Sequence, residues 1–185
     1  MTITEIGTVR IFADRFIPDR IIGYSTLLAL LLFAGCRQVP VTSALQKVNS
    51  HAINRIVAGH HGKQAVLINF WATWCQPCVE EFPMIVALSR EYTAAGLTTY
   101  FISVDFPEAW SAVEKFLQEQ GVPETTFIKA VGSDNDFING INRDWSGAVP
   151  FTIVYGRRSG DIVDLWEGEA DRQRFVAAID KALQN

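Results

Sequence analysis

The sequence predicts an α/β domain in which helices flank a central mixed β-sheet. Apolar and β-branched runs alternate with amphipathic segments along most of the chain, as expected of parallel strands joined by crossover helices. Near the C-terminus, residues 151–155 and 161–166 flank the turn Gly156–Gly160, a pattern that predicts an antiparallel hairpin. Parallel crossovers followed by one hairpin give a mixed sheet.

The first predicted elements lead from a helix into a buried strand. Ala44–Ala58 carries apolar residues at a rough helical period, which predicts a helix. Ala65–Phe70 is almost continuously apolar, as in a parallel strand buried on both faces. The next helix is predicted over Pro77–Ala95 and ends at Gly96.

The later elements repeat this alternation and then close the chain. Thr98–Val104 is β-branched and aromatic, so it predicts a strand. Pro107–Gln120 opens with a proline and an acid and predicts a helix. A short strand over Thr125–Ala130 and a short helix over Asp134–Arg143 precede the hairpin, and Ala170–Leu183 predicts a final amphipathic helix.

Length and composition indicate one globular domain with an N-terminal extension. The chain has 185 residues, of which 49% are hydrophobic and 19% charged. We assign 1–36 to a lipoprotein-type signal peptide or signal anchor, 37–43 to a linker and 44–185 to the domain. The formal net charge of −4 and the lack of a basic patch argue against a nucleic-acid partner.

The N-terminal extension predicts export. Ile21–Gly35 is an apolar stretch of 15 residues preceded by Arg20, shorter than the roughly 20 residues of a membrane span. The ending Phe33–Cys36 resembles a bacterial lipobox, which predicts lipidation of Cys36, although Phe33 stands where leucine is preferred. The alternative is an uncleaved anchor with Cys36 as an incidental thiol. Both place the domain in an oxidising compartment.

The expected location is therefore the periplasm, with the protein anchored to a membrane. Arg37 follows Cys36 at the position where inner-membrane lipoproteins typically carry an aspartate. This difference favours the outer membrane over an uncleaved inner-membrane anchor.

Two cysteines at the junction of a predicted strand and helix predict a redox site. Cys75 and Cys78 are spaced to close and reopen a small disulfide ring. A helix N-terminus favours negative charge, and the thiolate is the reactive form of cysteine. Pro77 fits the first helical turn, where its missing N–H costs nothing.

The residues around this pair resemble a known family. Asn69-Phe70-Trp71-Ala72-Thr73-Trp74-Cys75-x-Pro77-Cys78, followed by Glu80-Glu81-Phe82-Pro83, is similar to the thioredoxin-like superfamily and most similar to its TlpA/ResA-like branch. The resemblance implies a thioredoxin fold with an αβ insertion around 107–130. It also implies that Pro83 kinks the long active-site helix.

The expected chemistry is thiol–disulfide exchange. Cys75, at the helix start, is expected to attack as a thiolate, and Cys78 to resolve the mixed disulfide. The resemblance implies that Pro150 is cis and faces the cysteines, and that backbone groups of Val149 meet the substrate. The residues expected to contact substrate are Trp74, Gln76, Pro77, Val149 and Pro150.

Asn69 raises the question of which side chain accepts the proton that Cys78 loses during exchange. Cytosolic thioredoxins carry a buried aspartate there, and in the TlpA/ResA-like branch a glutamate of the inserted segment can replace it. Counting back from Phe116 assigns this role to Glu108, whose alternative is a plain helix-start acid. Glu80 and Glu81 are interpreted as a solvated acidic face.

The function expected from the resemblance is reduction of protein disulfides, for example in cytochrome c maturation. A membrane electron donor would re-reduce the protein, and neither a cofactor nor a metal is expected. One alternative is a disulfide oxidase or isomerase. Another is a non-catalytic copper carrier, but such carriers separate their cysteines by three residues, and His60 and His61 are interpreted as solvated loop residues.

Overall fold

The computed structural model describes residues 44–122 and 125–185. The predicted signal segment, the lipidation site Cys36 and the linker lie outside these residues. Within the two described ranges, no helix is both long enough and apolar enough to span a bilayer.

Within the described ranges, six strands form one mixed sheet in the order β1-β4-β3-β2-β5-β6. The strands are β1 (Leu45–Val48), β2 (Ala65–Trp71), β3 (Leu97–Ser103), β4 (Thr126–Lys129), β5 (Phe151–Tyr155) and β6 (Ile162–Glu167). Strands β1 to β4 pair in parallel, whereas β5 runs antiparallel to both β2 and β6. The predicted combination of parallel crossovers and a terminal hairpin is confirmed.

In the part of the chain that the structure describes, five α-helices cover the two faces of this sheet. They are α1 (Ser50–His60), α2 (Gln76–Thr93), α3 (Trp110–Glu119), α4 (Asp134–Ile141) and α5 (Arg172–Gln184). Buried side chains of α2, α3 and α5 form one apolar cluster, and those of α1 and α4 form the other. The sheet therefore has a core on each face.

Strand β2 is the centre of the molecule because it contributes to both cores. Leu67 and Trp71 belong to the cluster under α2, whereas Ile68 and Phe70 belong to the cluster under α4. This division follows from the alternation of side chains along a strand. By the same alternation, Asn69 points to the face covered by α2.

The predicted helix over 44–58 is wrong in its first part. Leu45–Val48 is an edge strand that pairs in parallel with β4, and α1 begins only at Ser50, where the Asn49 side chain accepts from the Ala52 N–H at 2.9 Å. Leu45 and Val48 are buried while the two residues between them are exposed. Two apolar residues that stand three positions apart also lie on the same face of a helix, which explains the error.

The inserted segment forms a helix and a strand, but the helix starts later than predicted. Pro107–Ala109 is a separate 3₁₀ turn, and α3 follows from Trp110. A 3₁₀ turn has three residues per turn instead of 3.6, so the helical phase of α3 does not extend back through it. This change of phase matters for the assignment of Glu108.

Candidate active site

The two cysteines lie where β2 ends and α2 begins, and they form a disulfide. Cys75 is the N-cap of α2 and has an extended backbone, and its Sγ accepts from the Cys78 N–H at 3.3 Å. Pro77 occupies the first turn, as predicted. Cys75 is 5% exposed and Cys78 only 1%, so Cys75 is the more accessible sulfur.

The loop before β5 faces this disulfide. The Val149–Pro150 peptide bond is cis, as predicted. The carbonyl oxygen of Val149 lies 3.5 Å from the Sγ of Cys75. This backbone carbonyl lies next to the reactive sulfur, at the position where a docked polypeptide would pass.

A buried carboxylate fixes the turn that leads to Cys75. Asp105 is 1% exposed; it accepts from the backbone N–H of Thr73 at 2.9 Å and from the Thr73 hydroxyl at 2.6 Å. The hydroxyl of Ser103 donates to the same carboxylate at 2.8 Å. The ends of β2 and β3 are thus tied together next to the cysteines, a role that the sequence interpretation missed.

The predicted substrate-contact residues surround the disulfide with different exposures. Trp74 is 64% exposed next to Cys75, whereas Trp71 is fully buried, as expected of a core residue. Gln76 is exposed, and its amide donates to Glu80 at 2.6 Å. Pro77 is half-buried. The site therefore presents an exposed aromatic and an exposed amide beside two buried sulfurs.

Glu81 is buried, so its assignment to a solvated acidic face is wrong. Its side chain is 4% exposed and accepts from the Asn69 amide and from the Ala170 backbone N–H, each at 3.2 Å. Burial raises the pKa of Glu81 to about 7, against the two hydrogen bonds, which lower it, and with a smaller contribution from Glu169. Glu81 and Cys78 are three residues apart on α2, so both lie on its buried face.

The structure contradicts the interpretation of Glu108 as the buried acid. Its side chain is exposed in the 3₁₀ turn before α3. Because the helical phase does not continue through that turn, counting back from Phe116 pointed to a residue on the surface. Asn69 does meet a buried glutamate, but that glutamate is Glu81, from the active-site helix instead of the insertion.

The two adjacent histidines, interpreted from the sequence as solvated loop residues, have different environments. His60 is half-buried at the end of α1, with its ring nitrogens 2.8 Å from Gln64 Oε1 and from Tyr100 Oη, so it is not a solvated residue. His61 is exposed, as predicted. No group of three or more His, Cys, Asp or Glu side chains in 44–122 and 125–185 is arranged to hold a metal ion.

Comparison with known families agrees with the fold. A sequence profile described as the AhpC/TSA family matches residues 42–176, which is most of the chain. The chain belongs to the AhpC/TSA family. Within this thioredoxin-like family, the chain is similar to proteins that are named for disulfide chemistry.

Two sequence relatives and one solved structure show this similarity. The thiol-disulfide oxidoreductase ResA of Geobacillus kaustophilus is 28% identical over 126 residues, which cover 66% of this chain and 67% of the relative. ResA of Bacillus thuringiensis is 31% identical over 144 residues, covering 73% and 78%. The crystal structure of a thiol:disulfide interchange protein from Chlorobium tepidum has a TM-score of 0.57 and 26% identity, covering 68% and 83%.

These similarities and the paired cysteines agree on one class of activity. This AhpC/TSA-family chain is a thiol–disulfide oxidoreductase of the ResA type with a thioredoxin-like fold.

Proposed function

We propose that the protein is an extracytoplasmic reductant of protein disulfides. The observation that carries the proposal is the environment of Cys75: its sulfur lies at the start of α2 within reach of one backbone N–H, and the neighbouring Gln76 and Pro77 carry no charge. A strong oxidase needs a heavily stabilised thiolate. Among the described residues, the stabilising group that the structure shows at this sulfur is the helix N-terminus, which favours a reducing dithiol.

The reaction begins from the dithiol form. The Cys75 thiolate attacks one sulfur of a substrate disulfide, forming a mixed disulfide and releasing the other substrate sulfur as a thiolate. Cys78 then loses its proton and attacks the Cys75 sulfur, which frees the second substrate thiol and leaves the Cys75–Cys78 disulfide. Two electrons pass to the substrate, and a membrane electron donor is the proposed source that restores the dithiol.

Glu81 is the proposed proton acceptor for Cys78. Cys78 is almost fully buried, so water has little access to its proton. Glu81 lies one helical turn further along the same buried face, and its pKa of about 7 suits proton exchange near neutral pH. Asn69 and Ala170 fix the orientation of the carboxylate.

The proposed location and substrate class rest on the sequence. The apolar stretch Ile21–Gly35 and the following Cys36 support export and anchoring by lipid, with the outer membrane favoured by Arg37. Metabolic labelling with a tagged fatty acid should mark the protein; an unlabelled protein that retains Met1 would indicate an uncleaved anchor instead. Proteins with paired cysteines, such as apocytochromes c, are the proposed substrates.

Trapping with single-cysteine variants tests the assignment of roles. In Cys78→Ala the mixed disulfide on Cys75 has no internal exit, so we expect substrate adducts on a non-reducing gel. The matched control is Cys75→Ala, which should accumulate few adducts because the remaining sulfur is buried. Adducts in the Cys75→Ala variant alone would reverse the roles, and none in either variant would argue against exchange with protein substrates.

A further inference from the structure

A carboxylate at the end of β6 contacts the loop that contains the cis-proline bond. Glu167 is the last residue of β6 and pairs in antiparallel register with Phe151, the first residue of β5. Its carboxylate accepts from the backbone N–H of Ser146 and, at 2.7 Å, from the Ser146 hydroxyl. Glu167 therefore connects the strand that follows the loop to a residue at the start of the loop.

The polar contacts of the Glu167 side chain are directed to this loop. In 44–122 and 125–185, Glu167 takes part in none of the ion pairs and belongs to neither apolar cluster. Its side chain is exposed, so it does not fill the core. Hydrogen bonds to an ionised acceptor are stronger than neutral ones, and two of them restrain the backbone and the side chain of Ser146 together.

Ser146 transmits this restraint toward the reactive sulfur. Its hydroxyl accepts from the Ala148 N–H at 3.3 Å. Ala148 directly precedes Val149, whose carbonyl oxygen lies 3.5 Å from the Cys75 sulfur. A continuous set of hydrogen bonds therefore leads from Glu167 to the backbone next to that carbonyl.

Other groups hold the two ends of the loop. The indole Nε1 of Trp145 donates to the Ala148 carbonyl at 2.8 Å, and Trp145 itself is buried. After the loop, the Gly168 N–H donates to the Pro150 carbonyl at 2.8 Å. Because these contacts remain when Glu167 is replaced, its loss should loosen the loop without unfolding it.

We propose that Glu167 is a positioning residue: through Ser146, its carboxylate holds the Val149 carbonyl where the backbone of a polypeptide substrate meets it. The inference rests on the proposed function and adds to it a residue whose polar contacts are with the loop instead of the cysteines. A substrate that docks on an ordered loop does not pay to order it, so preorganisation strengthens docking. A small disulfide has no polypeptide backbone to dock and gains nothing from this order.

Two disulfides of different size test the proposal with the full-length protein in its dithiol form. One is insulin, whose disulfides lie in polypeptide chains, and the other is Ellman's reagent, a small aromatic disulfide. In single-turnover mixing of Glu167→Ala with excess insulin, the half-saturating insulin concentration should rise about fivefold while the maximal rate stays nearly the same. The rate with Ellman's reagent should stay within about twofold of that of the unaltered protein.

Further variants identify the cause of this change. Glu167→Gln retains a carbonyl oxygen that can accept from the Ser146 N–H, so it should recover most of the affinity for insulin. The matched control is Asp161→Ala, which removes an exposed carboxylate from the turn of the same hairpin and should behave like the unaltered protein with both disulfides. The redox potential of the cysteine pair should be the same in all of these proteins.

The outcomes separate this proposal from the proposed function. An unchanged half-saturating insulin concentration in Glu167→Ala, or an equal loss of rate with both disulfides, would overturn the positioning role and leave the reductase function in place. A loss that Glu167→Gln shares in full would overturn the Ser146 hydrogen bonds as its cause. Failure of the unaltered protein to reduce insulin would count against the proposed function itself.

Discussion

At the scale of single residues, two adjacent glutamates on α2 have opposite environments. Glu80 is exposed and accepts from Gln76, whereas Glu81 is buried between Asn69 and Ala170. Only Glu81 lies on the face of the helix that contains Cys78. Glu80 therefore provides a matched control for substitutions of Glu81.

Replacing Glu81 by glutamine should slow the resolving step and change its pH dependence. In the unaltered protein the rate should rise as pH passes through about 7, because the ionised carboxylate takes the proton of Cys78. In Glu81→Gln this rise of the rate with pH should be absent, because glutamine does not ionise. Stopped-flow exchange between pH 5 and 9 measures it, with Glu80→Gln as the control; identical profiles for all three proteins would remove Glu81 from the mechanism.

The same substitution has a predictable effect on stability. A carboxyl whose pKa is raised from 4.5 to about 7 on folding binds more protons in the folded state, so its contribution to stability falls as pH rises through that window. Glu81→Gln should therefore gain stability relative to the unaltered protein between pH 4.5 and 7, by on the order of 3 kcal/mol. Urea unfolding at pH 5 and pH 8 tests this; an unchanged difference between the two proteins would contradict the raised pKa.

At the scale of the elements, the junction between β2 and α2 depends on Asp105. Its carboxylate accepts three hydrogen bonds, from the N–H and hydroxyl of Thr73 and from the hydroxyl of Ser103. Asp105→Ala leaves these buried or half-buried donors without their partner. We expect a loss of about 1–3 kcal/mol in the free energy of unfolding, together with slower exchange because the turn before Cys75 is no longer fixed.

Chemical denaturation and exchange rates measure the two effects of Asp105→Ala. Asp161→Ala, at the exposed turn of the hairpin, is the control and should change stability by no more than about 0.5 kcal/mol. If Asp105→Ala behaves like this control, the carboxylate does not support the junction.

The elements were predictable where one periodic signal dominated. Strand β2 is continuously apolar because both of its faces are buried, and α5 has a clear amphipathic pattern. The edge strand β1 was missed because only its first and last residues are buried, which is also the spacing of a helix turn. The 3₁₀ turn before α3 was missed because Pro107 starts a helix of either type.

The active site was predictable to the extent that its chemistry is local in sequence. Cys75, Cys78 and Pro77 follow one another at a strand–helix junction, so their arrangement was evident from spacing. Glu81 could have been found from its i+3 relation to Cys78 and from Phe82 and Ile85, which continue the buried face. Asp105 and Thr73 are 32 residues apart in the sequence. Their contact depends on how β2 and β3 pair, which the spacing of a local motif does not reveal.

At the scale of the whole molecule, the fold brings three separate segments to one edge of the sheet. The end of β2 supplies the cysteines, the loop before β5 supplies Val149 and Pro150, and β3 is followed by Asp105. Carboxyl ends of parallel strands are the usual place for such sites. Because no charged group lies between the cysteines, this assembly is expected to hold the thiolate weakly and to donate electrons.

The redox potential of the Cys75–Cys78 pair tests the reductase proposal most directly. The full-length protein is equilibrated with glutathione or dithiothreitol buffers, and the thiols are quantified by alkylation. We predict a potential near or below about −230 mV, in the range of reducing thioredoxin-like proteins. A value near −120 mV, about that of the strong oxidase DsbA, would contradict the account and favour an oxidase.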